Sequence, residues 1–349
     1  MRILDIWRLC PPDPRIGGLT RIRCPRNGRY HHMGQELLAF VVDVGKTFMR
    51  GVPISLALAF VFTVLTWLWA CNPGRPWWRK PDLVTDVCYW LFIPVITRFL
   101  RIGMLIAGAA VLFGITTTDG LIAFYENGHG PLAALPLAAQ MIIFLIGEDF
   151  ILYWSHRLFH GHALWKYHAV HHSSEDLEWI SAARFHPINL FFGSVLADVV
   201  MLLAGISPNI FVVLGPITIA HSAFVHANLD WTLGPFKYVI ASPVFHRWHH
   251  TAAERGGEKN FAATFPVLDL VFGTFYMPKG ELPDRYGIAD KEFPAGFCLS
   301  VQKQADRGAN ACAGTINHVS EAAGRFAFPS SIYAQVGRQS ATSWLLSSA

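Results

Sequence analysis

Long apolar runs separated by short polar connections organise most of the chain. No charged residue occurs from Gly51 to Gly74, and residues 54–70 are long enough to cross a hydrocarbon core of about 30 Å. Residues 87–97 and 102–117 form a second apolar stretch, interrupted by Arg98 and Arg101. Three apart, those arginines either share one helix face or mark a break between two shorter helices. A third run, 131–147, continues as an amphipathic helix through Glu148 to about His160. Residues 188–205 and 210–225, joined by Ser207-Pro208-Asn209, predict a helical hairpin that enters the bilayer and returns to the same side. Asp198 inside it is an intramembrane acid, either a functional group or one half of a pair. The pattern predicts an all-α fold, a polytopic membrane helical bundle.

Composition agrees with that picture. Hydrophobic residues make up 52% of the 349 and charged residues only 15%, against about 25% charged in soluble domains. The net charge is +4, and the basic residues form no stripe suited to nucleic acid. Six Cys include no C-x-x-C pair, so neither a zinc ribbon nor a redox dithiol is signalled. Residues 1–50 form a basic N-terminal segment with nine Lys or Arg against four acids, and Pro and Gly oppose a helix there until about Gln35. Residues 51–297 form the expected membrane-embedded unit. Residues 298–349 form a tail rich in Ala, Ser and Gly, expected to pack poorly. The 114–130 connection has no Lys or Arg, whereas the later polar stretches carry Arg157, Lys166, Arg184, Lys237, Arg247, Arg255 and Lys259. The basic-loop rule places those stretches in the cytoplasm. The first run resists this scheme, because both its flanks are basic. Either it is re-entrant or the stretch 87–117 crosses twice.

Histidine changes the picture most. Twelve of the 16 lie between His156 and His250. His156-Arg-Leu-Phe-His160 is an H-x3-H, and His168-Ala-Val-His171-His172 and His246-Arg-Trp-His249-His250 are both H-x2-H-H. Residues at i, i+3 and i+4 share a helix face, so each motif offers two or three imidazoles to a common point. Eight imidazoles exceed the needs of one ion and suit two, with about four nitrogens each or three and an open position. His226, at the end of the hairpin, is placed to complete the cluster; His186 also qualifies, and His221 lies more than a turn deeper. Asp149, Tyr153, His156 and His160 fall along one stripe, so Asp149 could accept the second ring N–H of a ligand. His162, His129, His31, His32 and His318 are read as ordinary core or interfacial residues.

This order of motifs at the ends of paired apolar helices resembles the fatty acid hydroxylase/sterol desaturase superfamily. The likeness extends over Asp149–His160, Leu164–Ser173, Arg184–Pro187, Ser242–His250, Lys259–Phe261 and Asp269–Tyr276, and covers roughly residues 82–296. The resemblance implies an integral-membrane, non-haem di-iron oxygenase acting on a lipid such as a sterol or fatty acyl chain. It implies two Fe ions, O2 as co-substrate, and hydroxylation or desaturation of a C–H bond. Metal ligation carries over to His156, His160, His168, His171, His172, His246, His249 and His250, with His226 and His186 as additional members. Residues 1–50 and 298–349 match no part of the family pattern.

Two other classes use similar residues. A zinc-dependent membrane hydrolase of the H-E-x-x-H kind would place Glu after the first His, where this chain has Arg157. A metal transport or binding protein would place ligands near the bilayer midplane, whereas these fall at helix ends and in loops. No dinucleotide fingerprint or iron–sulfur cysteine set is present. An oxygenase of this sequence therefore needs a separate electron donor, a ferredoxin or a cytochrome with its reductase.

Overall fold

A computed structural model describes residues 26–288; the expectations for 1–25 and for the tail 298–349 lie outside the described residues. Eleven α-helices occur there in the order α1 (Arg26–Trp69), α2 (Leu83–Phe113), α3 (Thr118–Asn127), α4 (Gly130–Ala133), α5 (Leu137–Phe159), α6 (His162–His172), α7 (Pro187–Leu190), α8 (Leu196–Leu203), α9 (Ile210–His226), α10 (Pro243–His249) and α11 (Val267–Val271). No β-strand is found among the described residues; one isolated bridge pairs Ala70 with Leu229.

Three helices are long and apolar enough to span a membrane: Val44–Trp69 within α1, all of α2, and all of α5. Both α1 and α2 are continuous, and α1 already begins at Arg26, upstream of the expected start. Arg98 and Arg101 mark no break. Arg101 is paired with Asp198 of α8 and lies 4.9 Å over the Phe211 ring, so its charge is neutralised inside the bundle. Asp198 is therefore half of an ion pair that joins α2 to the hairpin. α2 ends at Gly114, whose φ of +67° lets its N–H reach Ala110 O (3.1 Å) while Ile115 N reaches Ala109 O (3.2 Å).

The hairpin forms as the turn signal predicts, with α7 and α8 descending and α9 returning. Small residues let it approach closely. A Cβ on Gly108 of α2 would stand 2.5 Å from Leu203, and one on Gly147 of α5 would stand 2.8 Å from Met201. At the far end, His129 meets Leu203 O at 2.6 Å and stacks on Phe124. Near the opposite end, Leu58 and Phe62 of α1 pack with Trp179, Ile180, Ala223 and Leu229. The connection from α1 to α2 lies at that same end, and so do α6 and α10.

Candidate metal centre

Local sequence sets each histidine in place. α5 delivers His156 on its last full turn and is capped by His160. α6 carries His168, His171 and His172 on its final turns. α10 begins where Ser242 accepts the Phe245 N–H at 3.1 Å and Pro243 occupies its first position. That start presents His246, His249 and His250 one turn later. His226 is the last residue of α9.

Nine histidines converge in two adjoining groups. His156, His160, His168, His172 and His249 form one; His171, His226, His246 and His250 form the other. Within each group the candidate ligand nitrogens all lie within 4.8 Å of one another. The neighbours His171 and His172 enter different groups, and so do His249 and His250. Rings of the two groups touch, with His172 and His250 stacked at 4.4 Å between centroids.

Hydrogen bonds fix which nitrogen faces inward. His156 Nδ1 donates to Phe261 O (2.8 Å), His249 Nδ1 to Lys259 O (2.7 Å), and His168 Nδ1 to the Asn189 side-chain oxygen (2.8 Å). In the other group, His171 Nδ1 donates to Arg184 O (3.1 Å) and His226 Nδ1 to Ser222 O (2.7 Å). Carbonyls only accept, so these rings carry their proton on Nδ1 and turn a bare Nε2 lone pair inward. The Nε2 atoms of this second group are crowded. His226 Nε2 is 3.3 Å from His171 Nε2 and 3.1 Å from His246 Nε2, and His250 Nε2 is 3.0 Å from His246 Nε2. His171 and His226 cannot hydrogen-bond to each other through bare nitrogens, and the contact is repulsive without a cation. A metal with Zn- or Fe-like bonds of about 2.1 Å separates its ligands by about 3.0–3.4 Å. In the first group, the Nε2 atoms of His156, His160 and His249 are buried with no hydrogen-bond partner. Burial drives His160, His168, His171, His172, His246, His249 and His250 below the usual imidazole range, so all are neutral near pH 7. Neutral, convergent, unpartnered imidazoles fit a transition-metal site.

Two candidates from the sequence lie elsewhere. His186 belongs to neither group; its Nδ1 accepts the Ile188 N–H at 3.1 Å and so caps α7. Asp149 touches no imidazole. Its carboxylate accepts the backbone N–H groups of Ala263 (3.0 Å), Thr264 (2.8 Å) and Phe265 (2.8 Å). It holds the segment whose Phe261 carbonyl receives His156. Asp269 secures the same segment through Phe261 N (2.7 Å) and Ala262 N (2.9 Å). Asn260, at φ +59°, binds Phe245 O and Tyr276 O through its amide, a left-handed position that Asn tolerates. His221 stays outside both groups, and the side chain of His162 lies outside what is described. Asn189 and the carbonyls of Lys259, Phe261, Arg184 and Ser222 are the site residues that sequence reasoning missed. Of these, only the Lys259-Asn260-Phe261 segment and Arg184 stood in recognised motifs.

Behind His171 lies a buried charge cluster. Lys80 Nζ bonds Asp86 (2.6 Å), Ser174 Oγ (3.0 Å) and Ser181 Oγ (2.8 Å). Arg184 pairs with Asp86 through Nε and with Asp82 at 3.1 Å, and donates to Ser173 Oγ at 3.2 Å. Lys80, Asp86 and Arg184 side chains are all at most 3% exposed. The cluster clamps the loop after α6 onto the first turns of α2.

The family model for fatty acid hydroxylase matches residues 141–274. The chain is 34% identical to an ornithine lipid hydroxylase of Rhizobium tropici over 45% of its own length and 47% of the relative's. It is 25% identical to alkylglycerol monooxygenase of Homo sapiens over 65% and 47%. With methylsterol monooxygenase 2-2 of Arabidopsis thaliana it shares 30% over 40% and 53%. The chain thus spans about half the length of these curated relatives. No solved structure matches it. Residues 141–274 thus match the fatty acid hydroxylase model, and the relatives named here are of the superfamily that the histidine order resembles.

Proposed function

We propose that this protein is a membrane-bound lipid oxygenase that holds two iron ions in the paired histidine groups. The convergence of Nε2 atoms at 3.0–3.3 Å, with those of His171 and His226 bare, carries the reading. His156, His160, His168, His172 and His249 hold one ion, and His171, His226, His246 and His250 the other. Bound iron would supply activation of O2 and removal of hydrogen from a lipid C–H bond. The chain's own part is to orient the imidazoles through Phe261, Lys259, Asn189, Arg184 and Ser222, and to exclude water with Phe159, Phe261 and Trp165. Ring centroids support that exclusion: Phe261 lies 5.1 Å from His160, and Trp165 lies 5.2 Å from both His160 and His172.

The catalytic unit spans residues 51–297 on this reading, and its basic cap faces the cytoplasm. The lipid enters from the bilayer, and electrons come from a separate ferredoxin or cytochrome with its reductase. Hydroxylation is favoured over desaturation because the relatives above are named as hydroxylases and monooxygenases. Zinc hydrolysis is disfavoured by Arg157 at the position a zincin gives to its general base.

The test uses protein in lipid nanodiscs, loaded with Fe(II) and supplied with a reduced ferredoxin or cytochrome. Lipid-dependent O2 consumption, with label from 18O2 in the hydroxylated product, is the expected result. Label from water alone, or full turnover under anaerobic conditions with zinc, overturns the reading.

A further inference from the structure

We propose that residues 235–240 and α11 form one platform seated in the polar–apolar boundary of the bilayer, an interaction surface for lipid outside the spanning helices. Neither segment belongs to a candidate span. Both nevertheless carry large apolar side chains on the outside. Phe236 is 67% exposed, Val239 58% and Val271 69%, with Ile240, Val267 and Leu270 exposed beside them. Six such residues on two short segments form a patch of the kind that marks a binding surface.

The two segments are neighbours. Ala241 N donates to Thr264 O at 2.8 Å, and the Tyr238 and Phe275 rings lie 5.4 Å apart. Their depth follows from what they touch. Phe272, directly after α11, stacks on Tyr153 at 5.2 Å and meets Trp154 edge-on at 4.9 Å. Those residues stand five and six positions before the end of α5. Ala241 packs with Val225 and Phe245 and meets the His221 ring, five positions before the end of α9. At 1.5 Å per residue, both contacts fall about 7–9 Å back along apolar helices. That depth matches the roughly 5–10 Å at which interfacial helices rest in the headgroup and acyl boundary.

Continuity names the occupant. α5 turns Phe150, Trp154 and Leu158 outward beside α11, so the patch extends the lipid-facing surface of a spanning helix. Lys237 is half-buried, with its ammonium 5.1 Å over the Tyr238 ring, as a lysine reaching from an apolar surface toward phosphates would be. The platform's inner side packs through Phe272 and Tyr153 on Phe261, which touches His156, His160 and His249. Three successive rings, Phe272, Tyr153 and Phe261, connect a lipid lying on the platform to the first histidine group. The inference rests on the membrane-spanning reading of α5 and not on the identity of the metal.

Photo-crosslinking in vesicles tests it. Full-length protein carrying p-benzoylphenylalanine in place of Phe236, and separately of Val271, is placed in phosphatidylcholine–phosphatidylglycerol vesicles and irradiated. Ile146, exposed on α5, serves as the lipid-facing control, and Glu254 as the aqueous one. The expected result is a phospholipid mass adduct at 236, 271 and 146 and none at 254. Adducts at 146 but none at 236 and 271, or a crosslink from those sites to a second copy, overturns the platform. Absence of an adduct at 146 overturns the spanning reading and the platform with it.

Discussion

Replacing Asp86 by Asn keeps the side-chain shape and removes one negative charge from the cluster behind His171. In the native protein Asp86 faces two cations, Lys80 and Arg184, in a setting where all three side chains are nearly inaccessible. After the change, Lys80 has the hydroxyls of Ser174 and Ser181 and at best a neutral amide oxygen in place of the carboxylate, and Arg184 keeps Asp82, which is 27% exposed. Removing one partner of a buried pair costs about 3–5 kcal/mol, because the other charge stays buried. Global stabilities are about 5–15 kcal/mol, so the loss is a large share of the total. The assay is thermal melting in nanodiscs followed by tryptophan fluorescence, since Trp90 bonds Ile180 O at 2.6 Å within the clamped loop. The double variant Lys80→Met/Asp86→Leu removes one charge of each sign and should be milder than Asp86→Asn, because a balanced apolar replacement is often neutral. An Asp86→Asn protein within about 0.5 kcal/mol of wild type, or a double variant worse than the single, refutes the reasoning.

Acid should destabilise the metal-free protein, and the sign follows from the histidines. His168, His171, His172, His246, His249 and His250 titrate well below 6.5 in the fold and near 6.5 when unfolded, so below that pH the unfolded chain binds more protons. Each then removes about 1.4 kcal/mol per pH unit, with no effect above about pH 7.5 where both states are neutral. Melting of metal-free protein at pH 8, 7, 6 and 5 should show a fall that starts near 6.5, and bound metal should delay it; a flat profile contradicts the account. Asp149→Ala should strip three backbone donors of their acceptor at a cost of about 1–3 kcal/mol for each donor left buried. It should also weaken metal retention through the loosened Phe261 carbonyl, measured by elemental analysis after dialysis against chelator; retention equal to wild type argues against that route.

Much of the scaffold was legible because it depends on residue type. Apolar length alone located the spans, and the Ser207-Pro208-Asn209 turn located the hairpin. The imidazole sets were legible for the same reason, since few other side chains serve as neutral nitrogen ligands at i, i+3 and i+4. Arg101 was ambiguous because its partner Asp198 lies 97 positions away and on another helix. The acceptors that orient the rings were hidden for a different reason. Phe261, Lys259, Arg184 and Ser222 contribute main-chain carbonyls, which every residue possesses, so no letter in the sequence marks them. Asp149 was read on the correct helix stripe, yet its carboxylate satisfies amides from a segment more than 110 positions later.

Two His-His dipeptides, 171–172 and 249–250, each send one ring to either group. Successive Cα atoms in a trans chain are always 3.8 Å apart. Two such pairs, one at the end of α6 and one at the end of α10, therefore act as a pair of rulers laid across the gap between the two histidine groups. The spacing of the two histidine groups is thus tied to covalent geometry, whereas loops and packing decide how the rulers are placed. Thermal flexing of either helix moves its share of both groups together, so the two groups keep their separation, which is what the proposed two-metal reaction would need most.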